Sequence, residues 1–180
     1  MPVSNLIFQE STDCSGCSDF MKLDNVEILG FKGEIASVGD TLSQINDIKD
    51  DGEIIQLMNA DAVAGKNHIF HGVNQAFLAF ERGENLANDL SVEIVLRCSA
   101  QRQISKAFDI LGLKEGEMNL CCVLVNCRDY KDQLSSMFGY DESVLTPNDD
   151  YLKKVYGIGE SEMPIEDMII DRISKLAVDY

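Results

Sequence analysis

At 180 residues with 45% hydrophobic composition, the chain is long enough to bury a substantial core and is most simply one domain. A formal net charge of −16 favours solubility and argues against broad binding to nucleic acid or anionic membranes. No apolar run approaches the ~20 residues of a membrane span. The start MPVSNLIFQESTDC also lacks a basic leader followed by an apolar block, so a cytoplasmic protein is expected.

In chain order, Leu6-Ile7-Phe8 and residues 26–31 (VEILGF) are strand candidates, rich in β-branched and aromatic residues. Gly39-Asp40 precedes a short helix with Leu42, Ile45 and Ile48 toward one side. Asp51-Gly52 signals a turn, and residues 54–58 read as a buried strand. Residues 66–82 read as a helix, with Val73, Ala76, Phe77 and Phe80 at i, i+3, i+4 and i+7, stopped by Gly83.

Asn85 can cap the next helix, which carries Leu86, Leu90, Ile94 and Val95 inward. After the polar junction Ser99-Ala-Gln-Arg-Gln-Ile104 a third helix puts Ile104, Ala107, Phe108 and Leu111 on one side, and Gly112 stops it. Residues 118–125 form an apolar strand, central in a sheet because both of its faces are apolar. From Arg128 onward the pattern weakens. Thr146-Pro-Asn-Asp-Asp150 opens a helix that Gly157 ends, and Pro164 opens the final one, with a stripe of Ile165, Met168, Ile169, Arg172, Ile173 and Leu176. The expected fold is a single α/β (α+β) domain over residues 1–180: a mixed β-sheet packed with several helices and closed by a C-terminal helix.

The charge is unevenly spread. Residues 1–94 hold 16 acids and 5 bases and residues 128–180 hold 12 and 6, whereas residues 95–127 hold 3 acids and 4 bases. Contact with a polyanion is therefore expected to centre on Arg97, Arg102, Lys106 and Lys114, unless these are only solvated helix residues. Cys14-Ser-Gly-Cys17 has the spacing of half a zinc site or of a redox pair, but no second CxxC accompanies it. A thiol or zinc protein using Cys14 and Cys17 stays open as an alternative, and so does a small-molecule enzyme with a site beside His68 and Cys98. His68 and His71, three apart, lack a carboxylate at ligand spacing, so no metal site is assigned to them. There is no phosphate-binding glycine loop, no dinucleotide fingerprint and no nucleophile elbow. This inventory favours a binding subunit, not an enzyme, and implies no cofactor.

The block NHIFHGVNQAFLAFERGENLANDLSVEIVLRCSAQRQISKAFDILGLKEG resembles the signature region of the PRPK-binding protein family, small accessory subunits of the KEOPS complex. The resemblance rests on His68 opening a helix, the alanines Ala76 and Ala79, the element Glu93-Ile-Val-Leu96, the run Arg102-Gln-Ile104, then Ala107 and Gly112 before an apolar strand. The closing helix fits the same family, and the short, acidic, cysteine-containing chain is closer to its archaeal members. The resemblance implies a non-catalytic subunit in threonylcarbamoyladenosine (t6A) modification of tRNA. Its partners would be the kinase-like ATPase subunit of KEOPS, the tRNA 3′ CCA tail and, indirectly, the threonylcarbamoyl transferase subunit.

On that reading the tRNA-binding candidates are Asn67, His68, Arg97, Arg102, Gln103 and Lys106, with the helix start at Asn67 and His68 offering backbone N–H groups to a phosphate. The partner-binding candidates are Ile165, Met168, Ile169, Ile170, Ile173 and Leu176, whose apolar arc is wider than one helix face.

Overall fold

The computed structural model describes residues 21–178. The strand expected at residues 6–8 and the Cys14/Cys17 pair lie outside the described residues. The architecture is an antiparallel sheet with helices on both faces. Four strands, β1 (Val26–Ile35), β2 (Ile54–Asn59), β3 (Gly116–Val125) and β4 (Gly139–Tyr140), lie in the order β2-β3-β1-β4. β1 and β3 pair along their full length, from Val26 opposite Val125 to Ile35 opposite Gly116.

The period-2 alternation of these strands builds two cores. Ile28, Ile54, Met58, Cys121, Val123 and Val125 point to one face. Leu29, Phe31, Ile55, Leu57, Leu120, Cys122 and Leu124 point to the other. β3 is thus central and apolar on both faces, as its sequence predicts. Each such side chain contributes about 1.5–3 kcal/mol when fully buried.

α1 (Val38–Ile48) and α5 (Lys131–Met137) cover the second face. α2 (Lys66–Arg82), α3 (Leu90–Cys98) and α4 (Ile104–Leu111) cover the first. α6 (Asp149–Tyr156) and α7 (Ile165–Leu176) form a third cluster, in which Leu152, Tyr156, Ile165, Ile169 and Ile173 close around Ala64.

Several boundaries move for identifiable reasons. β1 continues to Ile35 because Gly30 and Gly33 let other chain segments approach closely; a Cβ on Gly30 would stand 2.6 Å from the Asp141 carbonyl oxygen. α1 starts at Val38 with Ser37 as cap, accepting from the Asp40 N–H at 3.3 Å. Its inward pair is Thr41 and Ile45, whereas Leu42 is exposed, because a run at i, i+3, i+6 drifts around the helix.

α3 begins at Leu90 under an Asp89 cap, not under Asn85, and Leu86 stays outside on a loop. α4 buries only Ala107 and Leu111, so the expected inward positions Ile104 and Phe108 face outward. The stops at Gly83 and Gly157 hold, each with left-handed φ (70° and 60°).

Candidate functional site

The expected RNA-facing residues separate into an interior group and an exposed ledge. His68 is completely buried. Its Nδ1 accepts the Ala64 N–H at 3.0 Å, so its Nε2–H donates to the Cys98 carbonyl oxygen at 2.6 Å. Burial holds the ring neutral and pushes its pKa down to about 4. The residue pins the start of α2 to the end of α3, which corrects its placement among the RNA contacts. The same geometry removes a Cys98–His68 nucleophile pair. The histidine meets the backbone of Cys98, while the thiol donates to the Ile69 carbonyl oxygen and is driven far above its ordinary range by burial.

Arg97 is the second correction. Only 1% exposed, it donates from Nε to Glu93 Oε1 at 2.7 Å and from Nη2 to the Glu84 carbonyl oxygen at 3.2 Å. The other carboxylate oxygen of Glu93 accepts the N–H groups of Leu86 and Ala87. The guanidinium therefore organises the loop between α2 and α3 and does not reach the surface.

The third correction concerns α2. Asn67 is exposed, but the Glu166 carboxylate already occupies the helix start, accepting from the His68 N–H at 3.1 Å. Gly65, with φ 120°, lies so close that a Cβ there would stand 2.8 Å from Glu166 Oε1. The His68 amide therefore serves an internal cap, and the carboxylate beside it disfavours a phosphate at this helix start.

The junction between α3 and α4 supplies what remains. It turns at Ala100, a non-glycine residue with φ 53°. Five consecutive residues, Arg102, Gln103, Ile104, Ser105 and Lys106, are exposed. Gln103 occupies the N-cap of α4 without a side-chain cap bond, and no acid sits in the first turn. Among the described residues no side chain caps this helix start, and its partial positive charge lies between two cations. Arg102 Nη2 also reaches the Leu176 carbonyl oxygen at 3.5 Å, so the ledge adjoins the last turn of α7.

α7 divides the other candidate set. Ile165, Ile169 and Ile173 are buried in the third cluster, which corrects their assignment to a partner surface: the stripe that α7 presents to α6 and Ala64 is its own core face. Met168, Ile170 and Leu176 are half-buried at the edges of that stripe. Between α2 and α7, Ser174 donates to the Ile170 carbonyl oxygen, so its oxygen accepts from His71 Nε2 at 2.8 Å. Arg172 donates to the carbonyl oxygens of Tyr156 and Gly157, closing the end of α6.

Cys121 and Cys122 are buried, and burial drives both thiols up, Cys121 to about 12; the half-buried Cys127 rises to about 11. Among the described residues no group of three or more His, Cys, Asp or Glu side chains could hold a metal ion, and no helix is long and apolar enough to cross a membrane.

The described residues thus carry a buried histidine pin between α2 and α3 and an exposed polar ledge beside α7. The chain belongs to the kinase binding protein CGI-121 family, whose pattern matches residues 34–176. It is 36% identical over 106 residues to the regulatory protein Cgi121 of Methanocaldococcus jannaschii, a match covering 58% of this chain and 69% of the relative. It is 33% identical over 96 residues to the KEOPS complex subunit Cgi121 of Pyrococcus abyssi, covering 51% of this chain and 56% of that one. The family read from residues 67–116 is therefore the right one.

Proposed function

We propose that this chain is a non-catalytic cytoplasmic subunit of a KEOPS-type complex. It docks on the kinase-like ATPase subunit through the half-buried edge of α7 at Met168, Ile170 and Leu176. It holds the 3′ CCA end of tRNA at Arg102, Gln103 and Lys106, in support of the threonylcarbamoyladenosine modification made by the transferase subunit. Family membership supports the protein partner.

The observation that carries the RNA half is the start of α4, without a side-chain cap and flanked by two exposed cations on a chain with a net charge of −16. Few cations suffice when a single-stranded end is held by hydrogen bonds and stacking while a neighbouring subunit carries the rest of the tRNA. Asn67 lies outside the core nearby in sequence to the buried pin and serves at most as a hydrogen-bonding neighbour.

The test is a double charge reversal, Arg102→Glu with Lys106→Glu, in a gel-shift assay with whole tRNA. Both side chains are exposed, so the domain stays folded and tRNA retention is lost. The salt dependence of residual binding falls by roughly 0.7 in log–log slope per phosphate contact removed. Unchanged retention overturns the RNA assignment.

A further inference from the structure

The turn between α1 and β2 carries a dipeptide that the docking role does not use. Asp51-Gly52 is the single place in the 180 residues where glycine follows an aspartate or an asparagine. Both residues are exposed, and the Asp50 carbonyl oxygen accepts the Glu53 N–H at 3.3 Å, which closes a four-residue turn around them. Gly52 has φ 82° while Asp51 keeps a negative φ, the pattern of a type II turn. A Cβ on Gly52 would meet no atom within 4 Å.

We infer that Asp51-Gly52 is a site of spontaneous covalent modification, at which the aspartyl side chain cyclises onto the next backbone nitrogen and the main chain reopens as isoaspartate. In the first step the Gly52 nitrogen attacks Asp51 Cγ. A C–N bond forms, and the OH of the carboxylic acid leaves with the amide hydrogen as water. A water then adds to the cyclic imide. Opening at Cγ restores aspartate. Opening at the α carbonyl leaves the peptide bond on Cγ and a free α-carboxylate at residue 51. The steps consume no oxidant or cofactor, and the net charge is unchanged.

Three observations select this position over the other acids and amides. A following side chain crowds the attack, and only here is there none. The backbone must rotate to bring the nitrogen onto the side chain, which a glycine in open space permits, whereas Asp47, Asp109, Asp132 and Asp171 are held within helices. The turn also faces solvent, so water reaches the imide.

The same turn anchors a wider network. Glu53 accepts the Asp50 and Arg128 N–H groups, each at 2.9 Å, and the Tyr130 hydroxyl. Asp50 is ion-paired with Arg128 at 3.3 Å. An isoaspartyl link lengthens the main chain between Asp50 and Glu53. It displaces Glu53 from Arg128 and Tyr130 and loosens the start of β2 from the segment that leads into α5.

The experiment stores the folded full chain for weeks at neutral pH, below its melting temperature. Samples are treated with isoaspartyl carboxyl methyltransferase and labelled S-adenosylmethionine, which esterify the free α-carboxylate, and are then digested for peptide mapping. Label and an isomer of equal mass accumulate on the peptide of residues 50–66, and fragmentation places both at Asp51. Asp51→Glu keeps the charge but would need a larger ring, so it loses the label while its fresh melting temperature matches the wild type. The labelled wild-type fraction melts below the unlabelled one.

Label that falls mainly at another position overturns the inference, and so does equal labelling of Asp51→Glu. It is also overturned if the folded chain stays unlabelled while a peptide of residues 46–56 acquires label, because the fold then protects the turn. Equal melting of the two fractions refutes the loosening at Glu53.

Discussion

Arg97 Nε lies 2.7 Å from Glu93 Oε1, one helical turn back, and both side chains are sealed from solvent. Such a pair is costly to assemble in a low-dielectric interior, and removing one member leaves the other charge unpaired. Arg97→Met or Glu93→Gln therefore destabilises the domain by about 3–5 kcal/mol. Urea unfolding of each variant checks this. A loss below about 1 kcal/mol would mean that the pair is relaxed by water.

His68 sets a pH dependence. Its folded pKa is about 4, below the ordinary 6.5, so between these values the unfolded chain binds a proton that the folded one does not. Stability is accordingly full above pH 6.5 and falls as the pH drops toward 4, by up to about 3 kcal/mol from this residue. His71 is shifted in the same direction by burial, so the measurement is the difference between the wild type and His68→Gln in denaturant midpoints from pH 7.5 to 5. The wild type should show the steeper decline.

Gly72 is where α2 meets α3. A Cβ there would collide with Cys98 Sγ and stand 3.0 Å from Cys98 Cα, which cannot move without shifting the helix. Gly72→Ala costs about 1–3 kcal/mol as overpacking. Gly159→Ala meets no atom within 4 Å and serves as the neutral control in the same thermal melts.

Adjacent isoleucines on α7 should behave oppositely. Ile169 is 0% exposed, so Ile169→Glu buries a charge and unfolds the region. Ile170 sits at the edge of the helix stripe, so Ile170→Glu leaves the melting temperature within a few degrees while weakening capture of the kinase-like subunit. A pull-down that survives Ile170→Glu moves the docking surface elsewhere.

Much of the fold was legible because it is written locally. β3 announces itself by apolar residues at both parities, and α2 and α6 by glycines that adopt left-handed φ at their ends. The site was less legible because its decisive partners are distant. Nothing near His68 indicates that Cys98, thirty residues later, supplies its carbonyl oxygen.

Arg97 and Arg102 look equivalent as charges, and only the Glu93–Arg97 spacing inside the otherwise apolar run VEIVLRC hints that the first is internally paired. Periodicity located α4 but could not orient it. An eight-residue helix packed along one side offers two candidate stripes, and Ala107 with Leu111 won over Ile104 with Phe108.

The Glu166 carboxylate that closes the start of α2 arrives 98 positions after the amide it binds. During synthesis α2 therefore waits, with its first turn bare, until α7 has left the ribosome. A chain terminated before Glu166 loses that closure together with Ile169 and Ile173 of the third cluster, so the last helix completes both the cap and the core around Ala64.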